Sequence, residues 1–373
     1  MTSRQCQILL FTLAHVCVIS YAQKRSDCET TAEGPASCVP LSECRSIKQL
    51  LQRSILFGSD LQRLEASQCG FHQDEPLVCC TSPATRPPQS AQSTVKDKNS
   101  LLPKAPDCGT QLINRIVGGE RTRITDFPWT VRIQHYDRRY EEYAFHCGGS
   151  LINKKYVLTA AHCVSGIPAS WTISAVRLGE WDVLSDPDCV NDDNDCFDPV
   201  QDIQVEKVIV HEKLINTRLQ VHNDIALLRL AKEARMSQTV QPICLPLSKE
   251  FDTRRYDGIN MFVAGWGQTE LETNSRYKLV VGVKGVSQQH CRRQYLTANI
   301  DDRQICAGEE SGKDSCKGDS GGPLMDMVVS ESSVVYYLSG IVSFGKRCGM
   351  KNVPGVYTKV NRFGEWILAN LEP

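Results

Sequence analysis

The chain has 373 residues, 41% of them hydrophobic and 23% charged, and its 42 basic and 43 acidic side chains give a formal net charge of −1. That length suits two or three folding units, and the balanced charge excludes both a nucleic-acid-binding basic field and a solvating acidic tail. Ordinary apolar content excludes disorder over most of the chain, while eighteen cysteines point to an oxidising, extracellular compartment, ahead of a metal cluster or free thiols.

The first 22 residues read as a secretory signal. One positive charge at Arg4 precedes an apolar run from Ile8 to Ile19, and Ser20-Tyr21-Ala22 supplies the small-residue cleavage pattern. A buried N-terminal helix is the competing reading. No later segment reaches the roughly 18 apolar residues of a membrane span, so no membrane span is expected. Removal of the signal takes Cys6 and Cys17 with it and leaves sixteen cysteines, an even number.

Six of these, Cys28, Cys38, Cys44, Cys69, Cys79 and Cys80, fall within 53 residues. A unit that small buries too little apolar surface to stand unaided, so three disulfides are expected to be its main stabiliser. A metal site fits less well, because the region lacks CxxC hooks and His72 has no partner at ligand spacing. From Thr81 to Asp107, five prolines sit among Ser, Thr, Gln and Lys, the signature of an extended, solvated, protease-accessible linker.

After Cys108 the texture becomes short β-rich runs between turn residues. Strands are expected at Thr130–Ile133, Tyr156–Leu158, Ile203–Val210, Ile225–Leu230, Met261–Ala264, Leu279–Val283, Val334–Val342 and Gly355–Val360. This predicts an all-β barrel or sandwich. At the end Phe363, Trp366, Ile367 and Leu371 recur at helical spacing, so a short amphipathic helix closes the chain.

Three segments carry candidate chemistry: Leu158-Thr159-Ala160-Ala161-His162-Cys163, His222-Asn223-Asp224-Ile225-Ala226-Leu227 and Gly318-Asp319-Ser320-Gly321-Gly322-Pro323. Each alone is weak, since a histidine by a cysteine, an aspartate before a strand and glycines around a serine all have structural uses. Together they supply a base, an orienting acid and a nucleophile in the order His, Asp, Ser, 62 and 96 residues apart.

With Ile116-Val117-Gly118-Gly119, these segments resemble trypsin-like serine proteases of the chymotrypsin fold, over the 258 residues from Ile116 to the C-terminus. The resemblance implies a two-barrel all-β domain over residues 116–373, a preceding linker and propeptide end at 81–115, and a hydrolase that cuts peptide bonds. It assigns Ser320 as nucleophile, His162 as general base and acid, Asp224 as its orienting partner, and the N–H groups of Gly318 and Ser320 as the oxyanion hole. Asp314, six residues before Ser320, matches the floor of an S1 pocket that pairs with Arg or Lys. Gly345 and Gly355 match its wall glycines, and Ser343-Phe344-Gly345 the edge strand that pairs with substrate, with Phe344 where the family usually has Trp.

Arg115-Ile116 matches the zymogen cleavage point, and the new amino group of Ile116 is expected to pair with Asp319 and order the pocket. Cleavage after Arg implies a trypsin-like activator. Family bridges imply Cys147–Cys163, Cys291–Cys306, Cys316–Cys348 and a tether, Cys108–Cys244; Cys189 and Cys196 then remain for each other.

The spacing of the first six cysteines, with nine, five, twenty-four and nine residues between them and then an adjacent pair, resembles the clip domain of arthropod clip-domain serine proteases. This places a clip domain at 28–80 and implies Cys28–Cys79, Cys38–Cys69 and Cys44–Cys80. The resemblance further implies a secreted haemolymph enzyme acting on prophenoloxidase, a Toll-ligand precursor or a downstream protease zymogen, and restrained by a serpin. A non-catalytic clip-domain cofactor and a digestive trypsin are the alternatives, the first opposed by the complete His162, Asp224 and Ser320 set.

Between Glu180 and Asp198 the loop carries many carboxylates, among them Asp182, Asp186 and Asp188. Hard oxygen donors at that density suit Ca²⁺, and in several relatives the corresponding loop binds calcium, which makes Glu180 and Asp182 the expected ligands, with Asp188 or backbone carbonyls completing the shell. The alternative is an exposed acidic loop. No Asn-x-Ser/Thr sequon occurs, so N-glycosylation is not expected.

Overall fold

In the computed structural model the described residues are 28, 36–44, 47–48, 51, 67–72, 75–81, 98–110, 120–190, 195–217, 219–268, 274–308, 318–329, 334–346 and 352–373. Residues 1–22, expected from the sequence to be a secretory signal, and Arg115, Ile116, Asp314, Cys316 and Cys348 lie outside them. The chain divides into two units, Met1–Gln92 and Ser93–Pro373.

The first unit is a three-stranded antiparallel sheet. Strand β1 (Ala36–Pro40) and strand β2 (Gln68–His72) flank β3 (Glu75–Thr81). Its apolar centre is minimal: Cys44, Ile47 and Val78. Three disulfides, Cys28–Cys79, Cys38–Cys69 and Cys44–Cys80, supply the rest by restricting the unfolded chain. Cys79 and Cys80 point to opposite faces of β3, as neighbours on a strand must, which is why the adjacent pair serves two separate bridges.

The second unit starts with a correction. Residues 98–110 are not the solvated linker that their composition predicts. Lys98–Leu101 forms a 3-10 turn, Leu101 and Leu102 pack on the main core, and Asn153 donates to the Leu101 carbonyl (2.9 Å). Cys108 is bonded to Cys244. Gly109, at φ +65°, passes so close to Tyr336 that a Cβ would stand 2.2 Å from its carbonyl oxygen. The two leucines and the disulfide outweigh the prolines around them.

After a short strand, β4 (Glu120–Arg121), come β5 (Thr130–Asp137), β6 (Glu142–Asn153), β7 (Tyr156–Thr159), β8 (Trp171–Leu178) and β9 (Gln201–Val210). A small hairpin of β10 (Ile215–Asn216) and β11 (Val221–His222) leads into β12 (Ala226–Leu230). Strands β5 to β9 and β12 close a six-stranded barrel in the order β12-β7-β6-β5-β8-β9. Side chains of β5 alternate inward and outward, with Val131 and Ile133 fully buried.

The second barrel comprises β13 (Asn260–Gly265), β14 (Leu279–Val286), β15 (Gln304–Ala307), β16 (Pro323–Val329), β17 (Val334–Phe344) and β18 (Gly355–Lys359), closed by the β13–β14 pairing, with β4 added at the edge. A short helix α1 (Gln288–Gln294) precedes β15 and is tied to it by Cys291–Cys306; α2 (Gly364–Asn370) ends the chain. This is the chymotrypsin-like two-barrel architecture. One apolar core runs between the barrels, joining Trp129, Leu158 and Leu227 of the first to Met325, Leu338 and Ile341 of the second. Among the described residues no helix is long and apolar enough to cross a membrane.

Candidate active site

His162 sits in a single 3-10 turn, Ala161–Cys163, that ends β7, and the Cys147–Cys163 disulfide fastens this turn to β6. Asp224 lies in the turn before β12 and is 1% exposed. The two meet twice. The His162 backbone N–H donates to Asp224 Oδ1 (2.9 Å), and the ring Nδ1 bonds Oδ2 (2.8 Å). An ionised carboxylate only accepts, so Nδ1 is the donor of this bond and Nε2 is the ring nitrogen turned away from Asp224.

Burial by itself would raise the Asp224 carboxyl, but the His162 ring, the Ser343 hydroxyl and the His162 N–H overcome it and hold the group below its ordinary value. Ser343 donates to Oδ2 at 2.5 Å, and Thr358 Oγ1 donates to the Asp224 carbonyl at 2.8 Å. Both come from the second barrel, so Asp224 is gripped from both sides of the interface.

Ser320 lies in the turn before β16. Its carbonyl accepts from the Gly148 N–H of β6 (2.8 Å) and stands 3.5 Å from Cys163 Sγ, the same sulfur that approaches His162 Nε2 at 3.8 Å. The turn is tight: Gly322 N–H donates to the Asp319 carbonyl, and Gly321 N–H to Val342 (both 2.8 Å). At Gly321, φ +79°, a Cβ would meet Thr159 Oγ1 at 2.2 Å, so only glycine lets the serine turn seat against β7.

Asp319 points the other way, toward Gly265-Trp266-Gly267, where the Gly267 N–H donates to Oδ1 (2.9 Å). A Cβ on Gly267 would fall 2.3 to 2.6 Å from the carboxylate. A small cleft lined by Arg132, Phe145, Gly148, Asn274, Gly318 and Asp319 opens beside it. Gly345 faces Gly355, and among the described residues a Cβ on Gly345 would find nothing closer than the Gly355 Cα at 3.9 Å.

The structure thus joins His162 to Asp224 and seats the backbone of the turn that carries Gly318, Asp319 and Ser320 against the His162 turn. Ser343, expected only to pair with substrate, also contacts Asp224. The glycines flanking Trp266 were not singled out from sequence; the Gly-Trp-Gly spacing was their only signal.

The acidic loop divides. Glu180 and Asp188 are 2% and 4% exposed, and both accept the Trp181 N–H (3.1 and 3.0 Å). Burial pushes both carboxyls up; Asp188 adds to the effect at Glu180, while Arg132 and Arg177 partly offset it. Glu180 Oε2 also pairs with Arg177 (3.3 Å) and Arg132 (3.6 Å), and Asp188 Oδ1 accepts from the Ser185 hydroxyl (2.8 Å), so these hard oxygen donors already share their charge with groups of the protein. The Asp182 carboxylate takes a bidentate fork from Arg276 (2.6 Å each). Asp186 accepts from Val200 N–H, Asp198 pairs with Arg235, and Cys189–Cys196 staples the loop. Among the described residues the groups of three or more that bring ligand atoms within 4.8 Å of one another are Cys28/Cys38/Cys69 and Cys147/His162/Cys163. Every sulfur in them is locked in a disulfide, which leaves no thiolate for a metal.

Compared with known families, residues 116–367 match Trypsin and residues 28–80 match the Regulatory CLIP domain of proteinases. The chain is a clip-domain serine protease of the trypsin family. Its relatives include Serine protease ea of Drosophila melanogaster, 42% identical over 92% of this chain and 91% of that protein. Melanization protease 1 of the same organism is 39% identical over 92% of each. Among solved structures it is similar to the Drosophila Grass clip serine protease of the Toll pathway, with a TM-score of 0.64 and 32% identity, covering 92% of this chain and 97% of that one. The clip protease described here is therefore a hydrolase.

Proposed function

We propose that this clip protease is a secreted zymogen endopeptidase that cuts after Arg or Lys in protein substrates of an extracellular immune cascade, once it has itself been cut between Arg115 and Ile116. The observation that carries the reading is the pair of hydrogen bonds between His162 and Asp224, with the Ser320 turn fixed beside the Cys147–Cys163 disulfide.

Ser320 Oγ attacks the scissile carbonyl carbon while Nε2 of His162 takes its proton. Asp224 stabilises the imidazolium that results. The N–H groups of Gly318 and Ser320 donate to the oxyanion, and His162 returns the proton to the leaving amine. A water molecule, deprotonated by the same Nε2, then releases the acyl group. Asp314 sets the preference for a cationic side chain, with the Gly345–Gly355 wall leaving room for its length. The amino group freed at Ile116 pairs with Asp319 and orders the turn.

Likeness to Melanization protease 1 and to Grass of the Toll pathway supports a role in a melanization or Toll cascade; prophenoloxidase, a Toll-ligand precursor or a further protease zymogen would be the substrate, a trypsin-like enzyme the activator and a serpin the inhibitor. Glu180 and Asp188 are the side chains that would hold Ca²⁺, with backbone carbonyls completing the shell; the ion would stabilise the loop and take no part in the chemistry.

The test uses full-length protein processed after Arg115 and incubated separately with prophenoloxidase and with a Toll-ligand precursor. N-terminal sequencing of the products should show cleavage after Arg or Lys in one of them, and none from Ser320→Ala. Cleavage after apolar residues, or equal cleavage by Ser320→Ala, would sink the reading.

A further inference from the structure

The residues just ahead of Asp224 are tied to the second barrel by a charged fork. Asn223 adopts φ +53°, a left-handed conformation that a non-glycine residue holds only when its surroundings enforce it. Both ends of its amide are committed: Nδ2 donates to the Lys213 carbonyl (2.6 Å), and Oδ1 accepts from Arg303 Nη1 (2.8 Å). Arg303 in turn grips Asp301, through Nη2 at 2.5 Å and Nε at 3.1 Å, while its own N–H bonds the other carboxylate oxygen at 2.9 Å. Asp301 also faces His222 Nδ1 at 3.4 Å, and Gln304 Nε2 donates to the Val221 carbonyl at 2.9 Å. Residues 221 and 223 are therefore hydrogen-bonded by the 301–304 segment of the opposite barrel, and the His222 ring lies against it.

The chemistry of the fork suits this task. A guanidinium offers planar, spaced donors, so Arg303 can bond Asp301 and Asn223 at once with its angle fixed; a lysine ammonium supplies a point charge without that geometry. Asp301 is held below its ordinary value despite the burial that opposes this, chiefly by Arg303, so the fork stays ionised wherever the enzyme works.

We propose that Arg303 is a positioning residue: through Asn223 it sets the backbone that aims the Asp224 carboxylate at His162. The proposal rests on the assignment of Asp224 as the partner of His162, and it touches neither substrate nor the reacting atoms.

The test compares processed Arg303→Ala, Arg303→Lys and Asp224→Ala with the parent, using an Arg-ended peptide amide. Arg303→Ala should lower kcat by roughly 10- to 100-fold with KM within about twofold, the penalty typical of a small misplacement remote from the chemistry. A less well aimed Asp224 stabilises the imidazolium less, so the acid limb of kcat/KM should move to lower pH. Added guanidinium chloride, below denaturing concentration, should restore part of the rate to Arg303→Ala, and Arg303→Lys should fall between. An unchanged kcat, a loss confined to KM, or a loss that tracks a lower unfolding midpoint with no rescue overturns the proposal. If Asp224→Ala keeps full activity, the site assignment itself fails; if Asp224→Ala is dead while Arg303→Ala is fully active, only the role of Arg303 falls.

Discussion

The indole N–H of Trp266 donates to the carbonyl of Trp181 at 3.2 Å, so the residue between the two glycines that cradle Asp319 is fastened to the acidic loop. Trp181 is held in its turn: its own indole donates to the Thr122 carbonyl (2.8 Å), and its ring carries the Arg121 guanidinium 4.1 Å from the centroid. The Asp319 cradle is thereby braced by β4 and the residue that follows it.

This brace makes Gly267→Ala a sharp probe. The added methyl would stand 2.3 to 2.6 Å from the Asp319 carboxylate, which must then leave its place. After processing at Arg115, amidolysis should fall by roughly 10- to 1,000-fold, since the oxyanion donors lie in the same turn as Asp319. Thermal unfolding of the unprocessed zymogen should change far less. Equal activity of variant and parent would show that Asp319 does not order the turn.

Ser343→Ala removes the shortest bond to the Asp224 carboxylate, 2.5 Å, in a fully enclosed site. The His162 bonds remain, so the carboxylate should keep its ionisation but lose part of its fixed direction. A kcat loss of about 10-fold at nearly constant KM is expected. Steady-state kinetics on a peptide amide decide it; a loss appearing in KM alone would mean that Ser343 serves substrate binding instead.

Much of this site was legible in the chain because its chemistry needs particular residues in tight local contexts: His162 against its disulfide cysteine, and Ser320 among glycines that permit the turn. The sequence-based strand assignments recovered β7, β9, β13 and β17 within a few residues. Strands β6 and β8 escaped, since EYAFHCGGSLIN and WTISAVRL break the simple alternation where the barrel bends and bulges. What spacing could not reveal was convergence across the barrels: Ser343 reaching Asp224, Arg276 claiming Asp182, Arg303 pinning Asn223. Each is a long-range pairing with no local pattern. Residues 98–110 misled for the opposite reason, because composition alone does not register that Leu101, Leu102 and Cys108 have partners far along the chain.

Lys278 is fully enclosed, its ammonium 5.8 Å from the Trp266 ring centroid, and burial lowers it from 10.5 to about 8 despite the pull of Asp126, Asp188 and Glu180. A lysine whose folded value lies below its unfolded value costs stability when charged. The penalty is complete below pH 8 and disappears as pH rises from 8 to 10.5, because over that window the unfolded chain binds the extra proton. The shift corresponds to about 3 kcal/mol. Lys278→Met should therefore unfold at higher denaturant than the parent at pH 7, with the gap closing toward pH 10. A gap that widens with pH would reverse the sign of the argument.

Glu180 and Asp188 have the opposite linkage. Their folded values are raised, so the folded protein holds those protons more tightly than the unfolded chain, and stability falls as pH climbs from the ordinary carboxylate range through the raised values. A divalent cation that binds only the ionised, folded pair should recover what is lost, by an amount that grows with its concentration over Kd. Millimolar CaCl₂ should accordingly raise the unfolding midpoint at pH 7 and leave it unchanged at pH 4, where protons compete. Glu180→Gln with Asp188→Asn should abolish the response and raise the midpoint in EDTA. Asp182→Asn, which weakens the Arg276 fork, should keep the calcium response; if the response were lost in that variant, the ligand would be Asp182 and the pair would be an ordinary buried contact.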